Sequence, residues 1–167
     1  SGNFSTTISA SIGLGNLQES ENQLHVAAQT YERVLHLVGD QPLLPTNQAH
    51  LGLARICYEW NDMDAAQQHA QQSVQRARQS EATDRFVLCE VFLARLTLAR
   101  GEVARAAAML AEIEQFVREH SFVRRILEVA AAQVLVLLQQ GELAAAARLA
   151  QAHLLPISQA RGHLAQG

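Results

Sequence analysis

Two arginines, Arg55 and Arg95, stand at equivalent places in a repeating pattern, because each comes eleven residues before an alanine that recurs along the chain. A guanidinium group is a planar fork of N–H donors that binds carboxylates and phosphates through paired hydrogen bonds. Tyr58 follows Arg55 by three residues and Phe92 precedes Arg95 by three, which on a helix places an aromatic ring beside each arginine. This spacing predicts a groove that binds an anion or another polar ligand.

The side chains expected to line the groove belong to the first helix of successive repeats. They are Asn16, Gln48, Arg55, Tyr58, Glu59, Phe92 and Arg95. Arg55 has Glu59 one helical turn later as a local partner. Arg95 has no acidic residue at that spacing, so it either pairs with Glu59 across helices or binds a ligand. Trp60 either covers a turn or offers an aromatic platform.

The residues that catalysis or metal binding would need are scattered along the chain. The seven histidines include no pair at the i, i+4 spacing that would put two imidazoles on one helix face. Cys57 and Cys89 fall within apolar helical patterns and lack the paired spacing of a metal site. No nucleophile elbow and no cluster of carboxylates appears. We therefore expect no enzyme activity, no catalytic residue, no metal and no cofactor.

A repeat emerges when four turns that each enter an alanine-rich helix are aligned. The turns begin at Asn22, Asn61, Gly101 and Gly141, and the alanine five residues later is Ala27, Ala66, Ala106 or Ala146. The intervals are therefore 39, 40 and 40 residues. An alanine at a fixed place allows two helices to cross at about 8–10 Å, which a larger side chain would prevent. The pattern predicts four helix pairs, each with a close crossing.

The periodicity places helices near 5–20, 24–38, 46–60, 64–79, 84–99, 103–119, 122–139 and 143–154. Gly101 and Gly141 are expected in the left-handed conformation that ends a helix, and Pro156 is expected to end the last one. A leucine followed by a small residue recurs in the first helix of three repeats, whereas the fourth has Gln133 and Val134 there.

These offsets resemble the tetratricopeptide consensus, in which a Leu-Gly pair in the first helix and an alanine in the second mark the contact between them. The resemblance implies an all-α fold: a tetratricopeptide-like, right-handed α-solenoid of about four antiparallel helix pairs with a period of about 40 residues. We predict a single helical-repeat domain over 1–167, with repeats near 5–40, 46–80, 84–120 and 122–155.

Composition restricts the class of partner. The net charge is −3, so the chain has no basic field to neutralise a phosphate backbone, and direct binding to nucleic acid is not expected. No apolar run approaches the roughly 20 residues that span a bilayer. We expect a soluble, cytoplasmic protein that does not associate with a membrane.

A more specific resemblance lies in the run from Tyr58 to Ala66, which reads Tyr-Glu-Trp-Asn-Asp-Met-Asp-Ala-Ala. It is similar to a run that recurs in the helical-repeat domain of MalT-like, LuxR-type transcription activators, with Met63 in place of leucine. The resemblance implies a sensor segment, part of a larger regulator, that receives a small-molecule inducer or a regulatory protein and contacts the regulator's other domains. The phosphate loop and the helix-turn-helix of such regulators are not within these residues.

The alternative function is a stand-alone tetratricopeptide adaptor that holds a peptide or a helix of a partner protein. A parent gene with a nucleotide-binding module upstream and a helix-turn-helix downstream would favour the regulator. In either case the ends of the array offer apolar surface, so self-association through the ends is a further expectation.

Overall fold

The structure is a computed structural model that describes the backbone of residues 2–39, 44–79 and 83–164, and the side chains of 2–39, 46–79 and 84–153. Within these ranges there are eight α-helices, one short 3-10 helix and no strand. The α-helices are α1 (Gly2–Ser20), α2 (Leu24–Val38), α3 (Leu44–Glu59), α4 (Met63–Gln79), α5 (Thr83–Ala99), α6 (Val103–Glu119), α7 (Ile126–Gln139) and α8 (Leu143–Leu164). The predicted all-α, tetratricopeptide-like fold is confirmed.

Four of the connections are the same three-residue turn. Their middle residues, Asn22, Asn61, Gly101 and Gly141, all have positive φ, with values of 60°, 60°, 84° and 80°. At the third of these turns the Gly101 N–H donates to the carbonyl of Leu98, and the Glu102 N–H donates to the carbonyl of Thr97. These two bonds form a Schellman motif, which satisfies the last carbonyls of a helix. The recurring Asn or Gly of the sequence is therefore the residue that ends each first helix.

The four recurring alanines are buried, with exposed fractions of 0% for Ala27, Ala66 and Ala106 and 3% for Ala146. The small residues that precede the first three by twelve positions, Gly15, Ala54 and Ala94, are buried as well. Small side chains on both helices of a pair allow the close approach that the repeat predicts.

The end of α8 corrects one prediction. Pro156 does not end the last helix, because α8 continues through it to Leu164. A proline inside a helix removes one hydrogen bond, the one that its missing N–H would give to the carbonyl of Ala152. Good helix formers such as alanine, leucine and glutamine surround Pro156 on both sides and favour continuation. The side chains of residues 154–164 lie outside the described set.

The chain divides into two compact units, Ser1–Leu96 (unit 1) and Thr97–Gly167 (unit 2). In unit 1, α1, α2 and α3 enclose one buried cluster that includes Ile8, Ile12, Val34 and Ile56. Tyr31 of α2 lies at its centre with no exposed surface. This cluster holds the first two helix pairs together.

In unit 2, α6 packs on α7 and α7 packs on α8. The buried side chains of α6 and α7 are aliphatic, with Leu110, Ile113 and Val117 on α6 and Val129 and Val136 on α7. None of the helices in the described ranges combines the length and apolar composition that a bilayer-spanning helix needs.

Candidate functional site

Arg55, the first of the two predicted groove arginines, is held by an ion pair. Its Nε donates to Oε1 of Glu19 at 2.5 Å and its Nη2 donates to Oε2 at 2.8 Å. Glu19 lies on α1, 36 residues earlier, and only 18% of its side chain is exposed. Arg55 therefore pairs with Glu19 rather than with Glu59, the local partner that its spacing suggested.

Tyr31 extends this ion pair into the core. Its hydroxyl lies 2.7 Å from Oδ1 of Asn16 and 3.0 Å from Oε2 of Glu19. The ring fits between two glycines: a Cβ on Gly15 would lie 2.5 Å from the Tyr31 Cε1 atom, and one on Gly52 would overlap the other edge of the ring. We call Asn16, Glu19, Tyr31 and Arg55 the polar lock, since together they join α1, α2 and α3.

The pKa values in the polar lock follow from burial and charge. Burial raises the pKa of Tyr31, and the neighbouring carboxylate of Glu19 raises it further. For Arg55, burial alone would lower the pKa, but the hydrogen bonds and negative charge of Glu19 raise it overall. Tyr31 is therefore a neutral donor and Arg55 a permanent cation. The guanidinium is already satisfied by a carboxylate, so Arg55 has little capacity left for a ligand.

Arg95, the second predicted arginine, lies exposed on α5. No ion pair joins it to any residue of the described ranges, and the expected bond to Glu59 is not formed. Tyr58 and Phe92 meet edge to face, with ring centroids 6.5 Å apart and planes at 83°. Tyr58 is 41% exposed and Phe92 is half-buried. We call Tyr58, Phe92 and Arg95 the Arg95 surface.

The other predicted groove residues do not join this surface through polar contacts. Asn16 belongs to the polar lock. Gln48 is half-buried on α3, and Glu59 is exposed at the end of the same helix. Trp60 stacks on His25, with centroids 4.7 Å apart, and 43% of Trp60 remains exposed.

Two histidines that the sequence did not connect meet between α3 and α4. The Nδ1 atoms of His50 and His69 lie 3.0 Å apart. Burial lowers the pKa of His50 to about 4, with further contributions from the charges of His69 and Arg76. Burial also lowers the pKa of His69, against the opposing charge of Glu32. The two rings therefore form a neutral hydrogen-bonded pair near pH 7.

Metal binding has no support in the described part of the chain, where no three His, Cys, Asp or Glu side chains form a group that could hold an ion. Burial raises the pKa of both free thiols, Cys57 and Cys89, which keeps them protonated.

The family model described as the MalT-like TPR region matches residues 1–167. The chain belongs to the MalT-like TPR family. No curated protein matches it significantly. A similar solved structure is that of the Rap conjugation gene regulator of the plasmid pLS20 in complex with the Phr* peptide. The TM-score is 0.72 at 14% sequence identity, over 86% of this chain and 40% of that one. At this identity the likeness shows the fold alone, and the MalT-like TPR chain spans less than half of the Rap regulator's length.

Sequence reasoning about this MalT-like TPR chain missed Tyr31, the residue at the centre of the polar lock. A tyrosine in the second helix of a pair gives no sign, by itself, that its hydroxyl contacts polar side chains of other helices. The sequence did carry a signal for this contact: Gly15 in α1 and Gly52 in α3. A glycine inside a helix indicates that another group approaches the helix backbone closely.

Proposed function

We propose that this chain is the effector- or partner-binding part of a MalT-like, LuxR-type transcription regulator, and that the ligand binds at the Arg95 surface. Membership of the MalT-like TPR family supports the regulatory context. The Rap regulator, which has a similar fold, was solved with a peptide bound, so a helical-repeat array of this kind is suited to holding a ligand.

The proposal rests on one difference between the two arginines: whether a carboxylate of the protein neutralises the guanidinium. Arg55 is neutralised by Glu19 through two hydrogen bonds, whereas Arg95 is exposed and no described acidic residue neutralises it. Under this proposal Arg55 fixes the position of α3 relative to α1, and Arg95 supplies the charge that a ligand meets. Of the seven groove residues first predicted, Tyr58, Phe92 and Arg95 contact the ligand, while Asn16 and Arg55 support them.

The chemistry of the Arg95 surface selects a ligand that is both anionic and apolar. The guanidinium offers paired N–H donors to a carboxylate or phosphate. The exposed edge of Tyr58 and the half-buried ring of Phe92 offer an apolar contact beside it. Both a small carboxylate-bearing inducer and an acidic peptide segment of a regulatory protein meet this description.

A thermal-shift screen of metabolites, sugars, sugar phosphates and short acidic peptides tests the proposal. A ligand at a hundred times its Kd stabilises the folded state by about 2.7 kcal/mol, which raises the Tm of a domain of this size by roughly 5–10 °C. We expect Arg95→Ala to abolish that rise while leaving the Tm of the free protein unchanged. Arg33→Ala is the matched control, since Arg33 is also exposed but lies on α2.

The screen also separates the two kinds of regulator. A shift with a small molecule indicates direct sensing of an inducer, and a shift with peptides alone indicates control by a partner protein, as a stand-alone adaptor would also show. A full shift retained in Arg95→Ala would show that the ligand binds elsewhere.

A further inference from the structure

Trp60 forms an exposed aromatic stack with His25 in unit 1. Trp60 directly follows the last residue of α3, and His25 lies in the first turn of α2. The stack therefore joins the turn of the first helix pair to the turn of the second. The ring centroids are 4.7 Å apart and the planes are inclined by 30°. We call His25 and Trp60 the turn-edge stack.

The exposure of Trp60 is unusual for its residue type. Tryptophan is largely buried in most folded proteins, and exposed tryptophan is enriched where proteins bind one another. A stacked ring such as that of His25 covers one face of an indole, and the exposed part of Trp60 leaves surface for a second group. The stack also holds the indole in one orientation, which lowers the entropic cost of a further contact. Trp60 therefore offers a positioned aromatic platform.

The two segments that carry the turn-edge stack are acidic. Residues 19–25 and 58–64 contain five acidic residues and no arginine or lysine. One of the five, Glu19, is neutralised by Arg55 in the polar lock. Three others are exposed, and no arginine of the described residues forms an ion pair with them: Glu21, Glu59 and Asp62.

The hydrogen bonds that these carboxylates accept come from neutral donors, so the negative charge is retained. Oε2 of Glu21 accepts a hydrogen bond from Nε2 of Gln23 at 3.3 Å. Oδ1 of Asp62 accepts one from the backbone N–H of Ala65 at 3.1 Å, at the start of α4. The face of an indole also attracts cations, because its π electrons make it negative. The aromatic ring and the carboxylates therefore favour the same kind of ligand.

We propose that the turn-edge stack binds an arginine side chain in a basic segment of a partner protein. The guanidinium lies over the indole of Trp60, and its N–H groups donate to Glu59 or Asp62. Arginine suits this surface better than lysine, because a planar guanidinium stacks on an aromatic ring and also donates paired hydrogen bonds to a carboxylate. The Arg95 surface selects the opposite charge, so the inference does not depend on the ligand of that surface.

The chain offers a direct reporter for this test, because Trp60 is its only tryptophan. Indole fluorescence and the indole N–H signal in NMR spectra therefore report on the turn-edge stack alone. The probe is the blocked peptide acetyl-Gly-Arg-Arg-Gly-amide. Its control is the same peptide with citrulline, which has the shape of arginine without the charge. We expect both signals to change saturably with the arginine peptide, and the citrulline peptide to bind about tenfold more weakly.

A charge variant and a matched control separate this site from a general attraction to an acidic protein. Glu59→Gln with Asp62→Asn removes two charges beside the stack, and asparagine caps a helix as well as aspartate does. We expect this variant to bind the arginine peptide about tenfold more weakly, which corresponds to about 1.4 kcal/mol. Glu112→Gln with Glu119→Gln removes the same charge from exposed positions of α6 and should leave the Kd unchanged.

Circular dichroism establishes that each variant is folded. If the double variant at the stack unfolds, Glu59→Gln alone replaces it, with an expected loss of about threefold in affinity. Equal binding of the citrulline peptide would overturn the proposal, because the stack would then select shape rather than charge. So would equal weakening by both pairs of substitutions, or Trp60 signals that do not change at millimolar arginine peptide.

Discussion

The two units of this MalT-like TPR chain hold their helices together in different ways. Unit 1 joins three helices through the polar lock, in which Arg55, Glu19 and a fully buried Tyr31 meet. In unit 2 a polar link between α6 and α7 is the hydrogen bond from Gln133 to Glu114 at 2.7 Å, with Glu114 37% exposed. That bond and the neighbouring Arg118 lower the pKa of Glu114.

The register of the repeat shows how the difference arises. Glu19 lies eight residues before its alanine and Arg55 eleven before its own, and in α7 the same places are occupied by Leu138 and Leu135. The helical frame is alike in both units, so the side chains decide whether a position forms an ion pair or an apolar surface. In unit 1 the hydrogen bonds and the ion pair of the polar lock fix how three helices pack. In unit 2 the helices are held by close packing of small and aliphatic residues.

The largest effect should come from overpacking a recurring alanine. We expect Ala106→Leu to lower the free energy of unfolding by about 3 kcal/mol, because Ala106 is fully buried and has no room for three more carbon atoms. Ala108→Leu on the same helix is exposed and should change stability by less than about 0.5 kcal/mol. Urea titration measures both. Equal losses would show that the assigned crossing position is wrong.

A methyl group placed against Tyr31 should cost somewhat less. Gly52→Ala puts a Cβ into the buried ring, and we expect a loss of about 2 kcal/mol in unfolding free energy. Gly13→Ala is the matched control: it meets nothing within 4 Å and should stabilise α1 by about 0.5–1 kcal/mol. If Gly52→Ala also stabilises the protein, the ring of Tyr31 does not lie where the polar lock requires.

Removal of the charge from the polar lock gives an intermediate effect. Arg55→Ala leaves the carboxylate of Glu19 largely buried without its cation, and we expect a loss of about 1–2 kcal/mol, moderated by the partial exposure of Arg55. Arg118→Ala removes an exposed pair in unit 2, where the arginine side chain is 74% exposed, and should cost less than about 0.5 kcal/mol. Urea titration measures the loss of unfolding free energy in both variants. Similar losses would show that the ion pair of unit 1 is no more important for stability than the exposed pair of unit 2.

At neutral pH the smallest effect comes from the pair of His50 and His69, whose influence on stability becomes visible only as a pH dependence on acidification. The folded-state pKa of His50, about 4, lies below the ordinary value of 6.5, so the unfolded chain binds more protons between these limits. Stability is therefore retained above pH 6.5 and falls as the pH drops from 6.5 to 4. His50→Gln should reduce this dependence, seen as a smaller change in urea midpoint across the window. An identical pH profile in His50→Gln would exclude the pair as its source.

The sequence predicted those parts of the fold that local rules determine. The turns at Gly101 and Gly141 and the buried alanines follow from residue types that satisfy helix ends and close crossings, and they recur often enough to be recognised. Pro156 was predicted wrongly because a local rule, that proline ends a helix, was applied where the surrounding residues favour continuation.

The candidate site was harder to predict because its contacts join distant residues. Arg55 has an acidic residue one turn away, yet it pairs with Glu19, 36 residues earlier. His50 and His69 likewise meet across two helices although they lie 19 residues apart. Helical periodicity indicates which face a residue occupies, but the choice of partner depends on the packing of neighbouring helices. The grouping of Tyr58 with Phe92 came from the equivalent repeat positions of Arg55 and Arg95, since each ring lies three residues from one of these arginines.

The most direct test of the central claim compares Arg95→Ala and Arg55→Ala in one thermal-shift titration with the ligand that the screen identifies. We expect Arg95→Ala to keep the original Tm without ligand and to lose the ligand-induced rise. Arg55→Ala should instead lower the Tm without ligand, because it breaks the polar lock. A full ligand-induced rise in Arg95→Ala would contradict the assignment of Arg95 as the binding arginine.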